Sequence, residues 1–164
     1  MTSFNAELES KKDWVEMFPF GLAVGAEHMR PVMIFKDKAK KQVLPVCLSP
    51  IDAGIAVSQS AIEADSSPHD LSWSILKKIG IKLEKCFFKE LKGHHQYVEL
   101  KFTGHKDLEC FEARADDAIS FCLQAGCRFF ATVEYIEKSR VLEGEMLVAG
   151  VSRRPEVNPH PYLN

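Results

Sequence analysis

No apolar run in the 164-residue sequence approaches the roughly 20 residues of a membrane-spanning helix. Glu7, Glu9, Lys11, Lys12 and Asp13 all precede the first apolar stretch. Neither a secretory leader nor a membrane partner is expected, and the predicted compartment is the cytoplasm. An excess of charge of one sign is also missing. A net charge of -2 excludes an overall basic field, so any polyanion has to be met by a local patch. Cys47, Cys86, Cys110, Cys122 and Cys127 are odd in number, contain no CxxC pair and sit mostly in apolar runs. That usage reads as reduced core side chains. The sequence has no Walker loop, no GxGxxG after a strand, no GxSxG elbow, no HExxH and no paired-cysteine zinc spacing. Gly21 and Gly25 lack the lysine and serine of a phosphate loop. An enzyme made from this chain has to assemble its site from carboxylates, histidine and arginine remote in sequence.

What is present is the material of one compact domain. Hydrophobic residues at 46% and charged residues at 27% are ordinary for a globular chain and disfavour wholesale disorder. The expected fold class is α+β in a single domain: a mixed or antiparallel sheet with a three-stranded meander and about three packed helices. The expected organisation is an N-terminal extension over 1–20, the domain proper over 21–138 and a C-terminal extension over 139–164.

Residues 22–26 read as a short strand. The apolar runs 32–35 and 43–48 flank a tip holding Lys36, Lys38, Lys40 and Lys41, a hairpin whose lysines are either solvated or in touch with phosphates. Two helix starts share one grammar: Ser49, Pro50, Ile51, Asp52 and Ser67, Pro68, His69, Asp70 place serine at the N-cap, proline first in the helix and aspartate at N3. The expected buried stripes are Ile51, Ile55, Ser58 and Ile62, then Leu71, Ile75, Leu76 and Ile79 before Gly80. From residue 81 the period becomes two, giving strands over 81–91, 96–103 and 108–113. A third helix follows at once, with apolar positions Ala115, Ala118, Ile119 and Cys122, and Gly126 as its stop. Residues 128–132 read as a strand and 133–138 as a short helix. One more apolar run, 146–151, leads into an extended tail with Pro155, Pro159 and Pro161.

The candidate site lies where strands give way to helices. Asp52, His69, Asp70, Arg114, Asp116 and Asp117 all sit at helix starts or on the strand entering one. Converged, two or three of the carboxylates can hold a hard divalent ion such as Mg²⁺. Arg114 can clamp a phosphate, and His69 can take a proton from water, a set suited to phosphodiester hydrolysis. Each aspartate also has a plain alternative as a helix cap, Asp116 suiting the N-cap of the third helix, and Arg114 has one as an ion-pair partner. His94, His95, His105 and His160 fall in turns and tail and are not expected at the site.

Residues 22–136 resemble the bifunctional nuclease domain family. The resemblance rests on Pro31 and Val32; Leu44, Pro45 and Val46 followed by Ile51, Asp52 and Ala53; His69, Asp70 and Leu71; Ile79 and Gly80; and Arg114, Ala115, Asp116, Asp117, Ala118 and Ile119. It implies His69 and Arg114 as catalytic residues and Asp70 and Asp117 as ligands of a divalent cation, with Asp52 as a weaker candidate; Asp116 is a further weaker candidate from its place at the helix start alone. It further implies an α+β fold, a homo-oligomer, nucleic acid as partner and a nuclease of low specificity acting on DNA and RNA. This chain departs from the family pattern at Ala115 and Asp116, where Pro and Ser are usual, at Ser49, at Pro68, and at Asp52 in place of Glu. A non-catalytic interaction or regulatory module of the same fold is the competing expectation.

Overall fold

A computed structural model describes residues 13–23, 30–60 and 67–152. Its elements run β1 (Trp14–Ala23), β2 (Val32–Asp37), β3 (Val43–Cys47), α1 (Pro50–Ser60), α2 (Pro68–Lys78), β4 (Lys82–Lys92), β5 (His95–Thr103), β6 (Cys110–Arg114), α3 (Ala115–Ala125), β7 (Arg128–Thr132) and α4 (Val133–Ser152). The described residues thus form an α+β domain with one mixed seven-stranded sheet in the order β3-β2-β1-β7-β4-β5-β6 and four helices. The pairings are antiparallel except β4 with β7. That parallel pair arises because the chain leaves β6, crosses the sheet as α3 and returns between β1 and β4.

Alternation in the strands sets the core. Phe35, Phe88 and Phe129 come from three different strands and meet edge-on or stacked, with centroids 4.9 to 6.4 Å apart. Leu44, Val46, Leu83, Val98, Ile119 and Ile136 close around them, all fully buried. The sheet curls strongly. Gln96 of β5 accepts the Cys47 N–H through Oε1 at 3.0 Å and donates Nε2 to the Pro45 carbonyl at 2.9 Å, although β3 and β5 are far apart in the strand order. The same Nε2 lies 3.2 Å from Ser139 of α4, so one buried amide ties two strands and a helix.

Several expectations shift. The first strand lies at Trp14–Ala23 rather than 22–26, because Trp14 to Met17 pair with β7 and Met17 onward with β2. The helix expected over 133–138 continues to Ser152, with Thr132 Oγ1 accepting the Tyr135 N–H at its start. Residues 24–26 and 61–63, the 64–66 link and the proline-rich tail lie outside the described residues. Both stripes turn out differently. On α1, Ile51 is exposed while Asp52, Ala53 and Ala56 are buried, because small side chains let α1 approach α3 closely. On α2, Leu71, Ile75 and Ile79 are exposed while Trp73 packs edge-on against Phe121 of α3. All five cysteines are free, and Cys86, Cys122 and Cys127 are buried, but Cys110 is exposed.

Candidate functional site

The three helix starts meet along α3. Arg114, in extended conformation, is the residue that caps α3, so Asp116 and Asp117 occupy the first turn and Asp116 is not the N-cap expected for it. Gly126, left-handed at φ 66°, ends the helix as expected and donates its N–H to the last turn. Freed from capping, the Asp116 carboxylate is only 6% exposed and holds a pair of guanidiniums. Arg114 donates Nε to Oδ1 at 2.9 Å and Nη2 to Oδ2, and Arg30, just ahead of β2, donates Nη2 to Oδ2 at 3.2 Å. His95 at the start of β5 brings Nδ1 to 3.9 Å from the same oxygen. Both arginines keep more than a third of their side chains in solvent. The Asp116 carboxylate bonded to Arg114 pushes that guanidinium's pKa further up, fixing its positive charge at every working pH.

One turn along α3, about 6 Å by helical rise, lies a second polar group. Ser49 caps α1 by accepting the Asp52 N–H at 3.1 Å, and its own N–H donates to the Asp116 carbonyl at 3.1 Å, docking the start of α1 onto the start of α3. The Asp52 side chain does not reach back to its cap. It turns inward and accepts both the N–H of Ser120, at 3.1 Å, and the Ser120 hydroxyl. Ser120 Oγ also lies 2.8 Å from Nε2 of His69, whose ring stands edge-on to Phe121. The result is a chain Asp52, Ser120, His69 in which Asp52 and Ser120 are buried and His69 is half-buried. Burial pushes the Asp52 carboxyl above the usual carboxylate range, against the opposing pull of its two Ser120 hydrogen bonds and His69; the charge of Asp117 adds to the rise. Ser120 has no solvent access, so it is placed to bridge rather than to attack.

The other two expected residues, Asp70 and Asp117, are engaged differently. Asp70 closes half of a capping box, its Oδ2 accepting the Ser67 N–H at 2.6 Å. Asp117 is largely exposed, with Oδ2 4.0 Å from Arg114 Nε. Among the described residues no three His, Cys, Asp or Glu side chains come together as a metal-holding group. Of the two residues expected to hold a divalent ion, Asp70 has Oδ2 engaged by the Ser67 N–H, and Asp117 keeps most of its side chain in solvent.

A family model of the bifunctional nuclease domain matches residues 33–143, more than half of the chain. The chain belongs to the bifunctional nuclease domain family. No curated protein matches it. The family match contains α1, α2 and α3 entire, and with them Asp52, His69, Asp70, Arg114, Asp116, Asp117 and Ser120. Arg30 lies just outside it.

Three members of the candidate site, Ser120, Arg30 and His95, were not expected there from the sequence. Ser120 had a usable signal, being a polar residue four positions after Asp116 in a helix whose neighbouring positions Ala118, Ile119 and Cys122 are buried. Arg30 and His95 carried none: one precedes a strand, the other follows a turn, and only the sheet brings them to α3.

Proposed function

We propose that this protein hydrolyses phosphodiester bonds in DNA, RNA or both with little sequence specificity. The observation that carries this reading is the placement of two half-exposed arginines on one buried carboxylate, a helical turn from a buried serine that joins a histidine to a second buried acid. Asp116 aims the guanidiniums, and the N–H groups it leaves unused can receive a phosphate in the bidentate geometry arginine favours. When the Ser120 hydroxyl donates to Asp52, its oxygen accepts from His69 Nε2–H, which leaves Nδ1 as the basic nitrogen able to take a proton from an attacking water. A divalent cation on Asp70 and Asp117 stays part of the reading only as something to be assayed.

The second reading, a non-catalytic module, is favoured by a specific observation: Asp52, Asp70 and Asp116 each already have hydrogen-bond partners within the protein. One experiment separates the two. Purified protein is incubated with labelled single- and double-stranded DNA and RNA, with Mg²⁺ or with chelator, alongside His69→Ala, Arg114→Ala, Asp70→Asn and Asp117→Asn. The nuclease reading expects cleavage that His69→Ala lowers by about 100-fold or more. Equal cleavage by wild type and all four variants marks a contaminant and defeats it. No cleavage by wild type in any condition favours the module. Loss on chelation or in the two asparagine variants tells whether an ion takes part.

A further inference from the structure

The lysine tip of the β2–β3 hairpin has no part in the site above, and the structure gives it neighbours that the sequence did not. Phe18 of β1 sits opposite Lys36 of β2 in the antiparallel register, and the irregularity between Pro19 and Gly21 makes Phe20 the extra, bulged residue. Phe18 is 45% exposed and Phe20 58%. The Lys36 ammonium lies 3.5 Å from the centroid of the Phe20 ring. Beyond Lys36 the turn is held rigid. Asp37 accepts the Gln42 N–H on its side chain at 2.8 Å and the Lys40 N–H on its carbonyl at 2.9 Å, and Lys38, Lys40 and Lys41 project into solvent around it. The nearby Glu16 carboxylate is held by both Nε and Nη2 of Arg128, at 2.7 and 3.0 Å, which mutes the acid on this side of the patch. A chain of net charge -2 thus concentrates four lysines against one aspartate in six residues, beside two exposed phenyl rings.

We propose that Phe18, Phe20 and the Lys36–Lys41 tip form a binding surface for single-stranded nucleic acid, with bases stacking on the rings and phosphates tracking the lysines. Stacking on aromatic faces combined with a lysine-lined track is the sequence-tolerant chemistry by which single strands are held. A duplex keeps its base faces inside its own stack and can use only the lysines. An apolar protein partner would have no use for the lysines, and an acidic one none for the two exposed rings. The inference rests on the reading of the protein as one that acts on nucleic acid, and it adds the strand state of the substrate.

The test is equilibrium binding, kept separate from cleavage. Fluorescence anisotropy in chelator follows a fluorescein-labelled oligothymidylate of about 12 nucleotides, within the usual span of single-strand sites, and a labelled duplex of equal length. Wild type is compared with Phe18→Ala/Phe20→Ala, with Lys38→Glu/Lys40→Glu/Lys41→Glu, and with Arg114→Ala; circular dichroism confirms folding. The expected results are a single-strand affinity lowered about tenfold or more by the phenylalanine pair with duplex affinity little changed. The lysine triple variant is expected to lower both, with the salt slope of single-strand binding reduced by about 2. Unchanged single-strand binding in the phenylalanine variant overturns the proposal, as does absence of wild-type binding at low salt or equal displacement by poly-glutamate. Loss of cleavage in His69→Ala with oligonucleotide binding intact leaves this surface standing, whereas normal cleavage with no effect of the phenylalanine pair on binding removes this surface and leaves the nuclease reading.

Discussion

Ser120→Ala is the sharpest probe of the polar chain inside the domain. The serine is fully buried, and its hydroxyl is shared between the Asp52 carboxylate and His69 Nε2. Removing it deletes a hydrogen bond to a buried acid, worth about 1.5–3 kcal/mol, and a second to the imidazole, worth about 1 kcal/mol. The small void and the 4.0 Å approach of His69 Nε2 to Asp52 Oδ1 allow partial compensation. A loss of about 3 kcal/mol is expected, a drop in melting temperature of roughly 6–12 °C for a domain of this size. Chemical denaturation with urea reads the stability directly. The Ser120 hydroxyl is one of the groups that hold the Asp52 pKa down against burial, so its loss, with the Ser120 N–H still in place, should move that pKa further up, which carboxyl ¹³C titration by NMR reads at the residue itself. A loss below about 0.5 kcal/mol with an unmoved Asp52 midpoint would refute the claim that this chain is formed and matters; a doubly substituted Asp52→Asn/Ser120→Ala protein should lose less than the sum of the singles.

Asp52 also sets a pH dependence. Its folded pKa is raised above the ordinary aspartate value of 3.8, so between that value and the raised one the native state binds more protons, and stability falls as pH rises through the window and is flat above it; urea unfolding across acid pH should show this slope in wild type and lose it in Asp52→Asn. Gly104, at φ +97°, is pressed against the turn after α2, where a Cβ would lie 1.9 Å from the Gly80 carbonyl oxygen. Gly104→Ala should therefore cost about 3 kcal/mol or more, whereas Gly93→Ala, at φ +59° with open space around it, should cost about 1 kcal/mol for the left-handed backbone alone, as thermal melts of the two will show. Lys40 is the non-glycine residue with positive φ among the described residues, at 57°, and Lys40→Gly should stabilise by up to about 1 kcal/mol, offset in part by the looser unfolded chain; a melting temperature well below wild type would contradict the assigned turn.

Local grammar was legible where local forces decide. The Ser-Pro starts of α1 and α2, the glycine stop of α3 and the hairpin around the lysines all follow from caps, φ preferences and turn residues that act within four positions. What the same rules could not reveal was which way a side chain turns once a helix meets another. Asp52 has the spacing of a capping aspartate, yet the Ser120 N–H and hydroxyl offer it a buried partner across the helix pair, and it takes that partner. Asp70, with the same spacing and no such neighbour, closes half of its capping box. The exposed ladder of Leu71, Ile75 and Ile79 shows the same limit. Periodicity finds an apolar stripe, but the contact of Trp73 with Phe121 decides which side of α2 faces inward. Arg30 and His95 owe their place at Asp116 to sheet assembly, a long-range outcome with no local trace.

The amide of Gln96 has a consequence for how the protein keeps to itself. Strand β3 ends the sheet, and a terminal strand ordinarily offers its outward N–H and C=O groups to any passing extended chain. Here the Cys47 donor and the Pro45 acceptor are taken by a side chain that mimics a neighbouring strand, and Pro45 has no backbone hydrogen to offer. Intermolecular strand addition at that margin is blocked from within, so among the described strands the margin left open to edge-to-edge aggregation is β6.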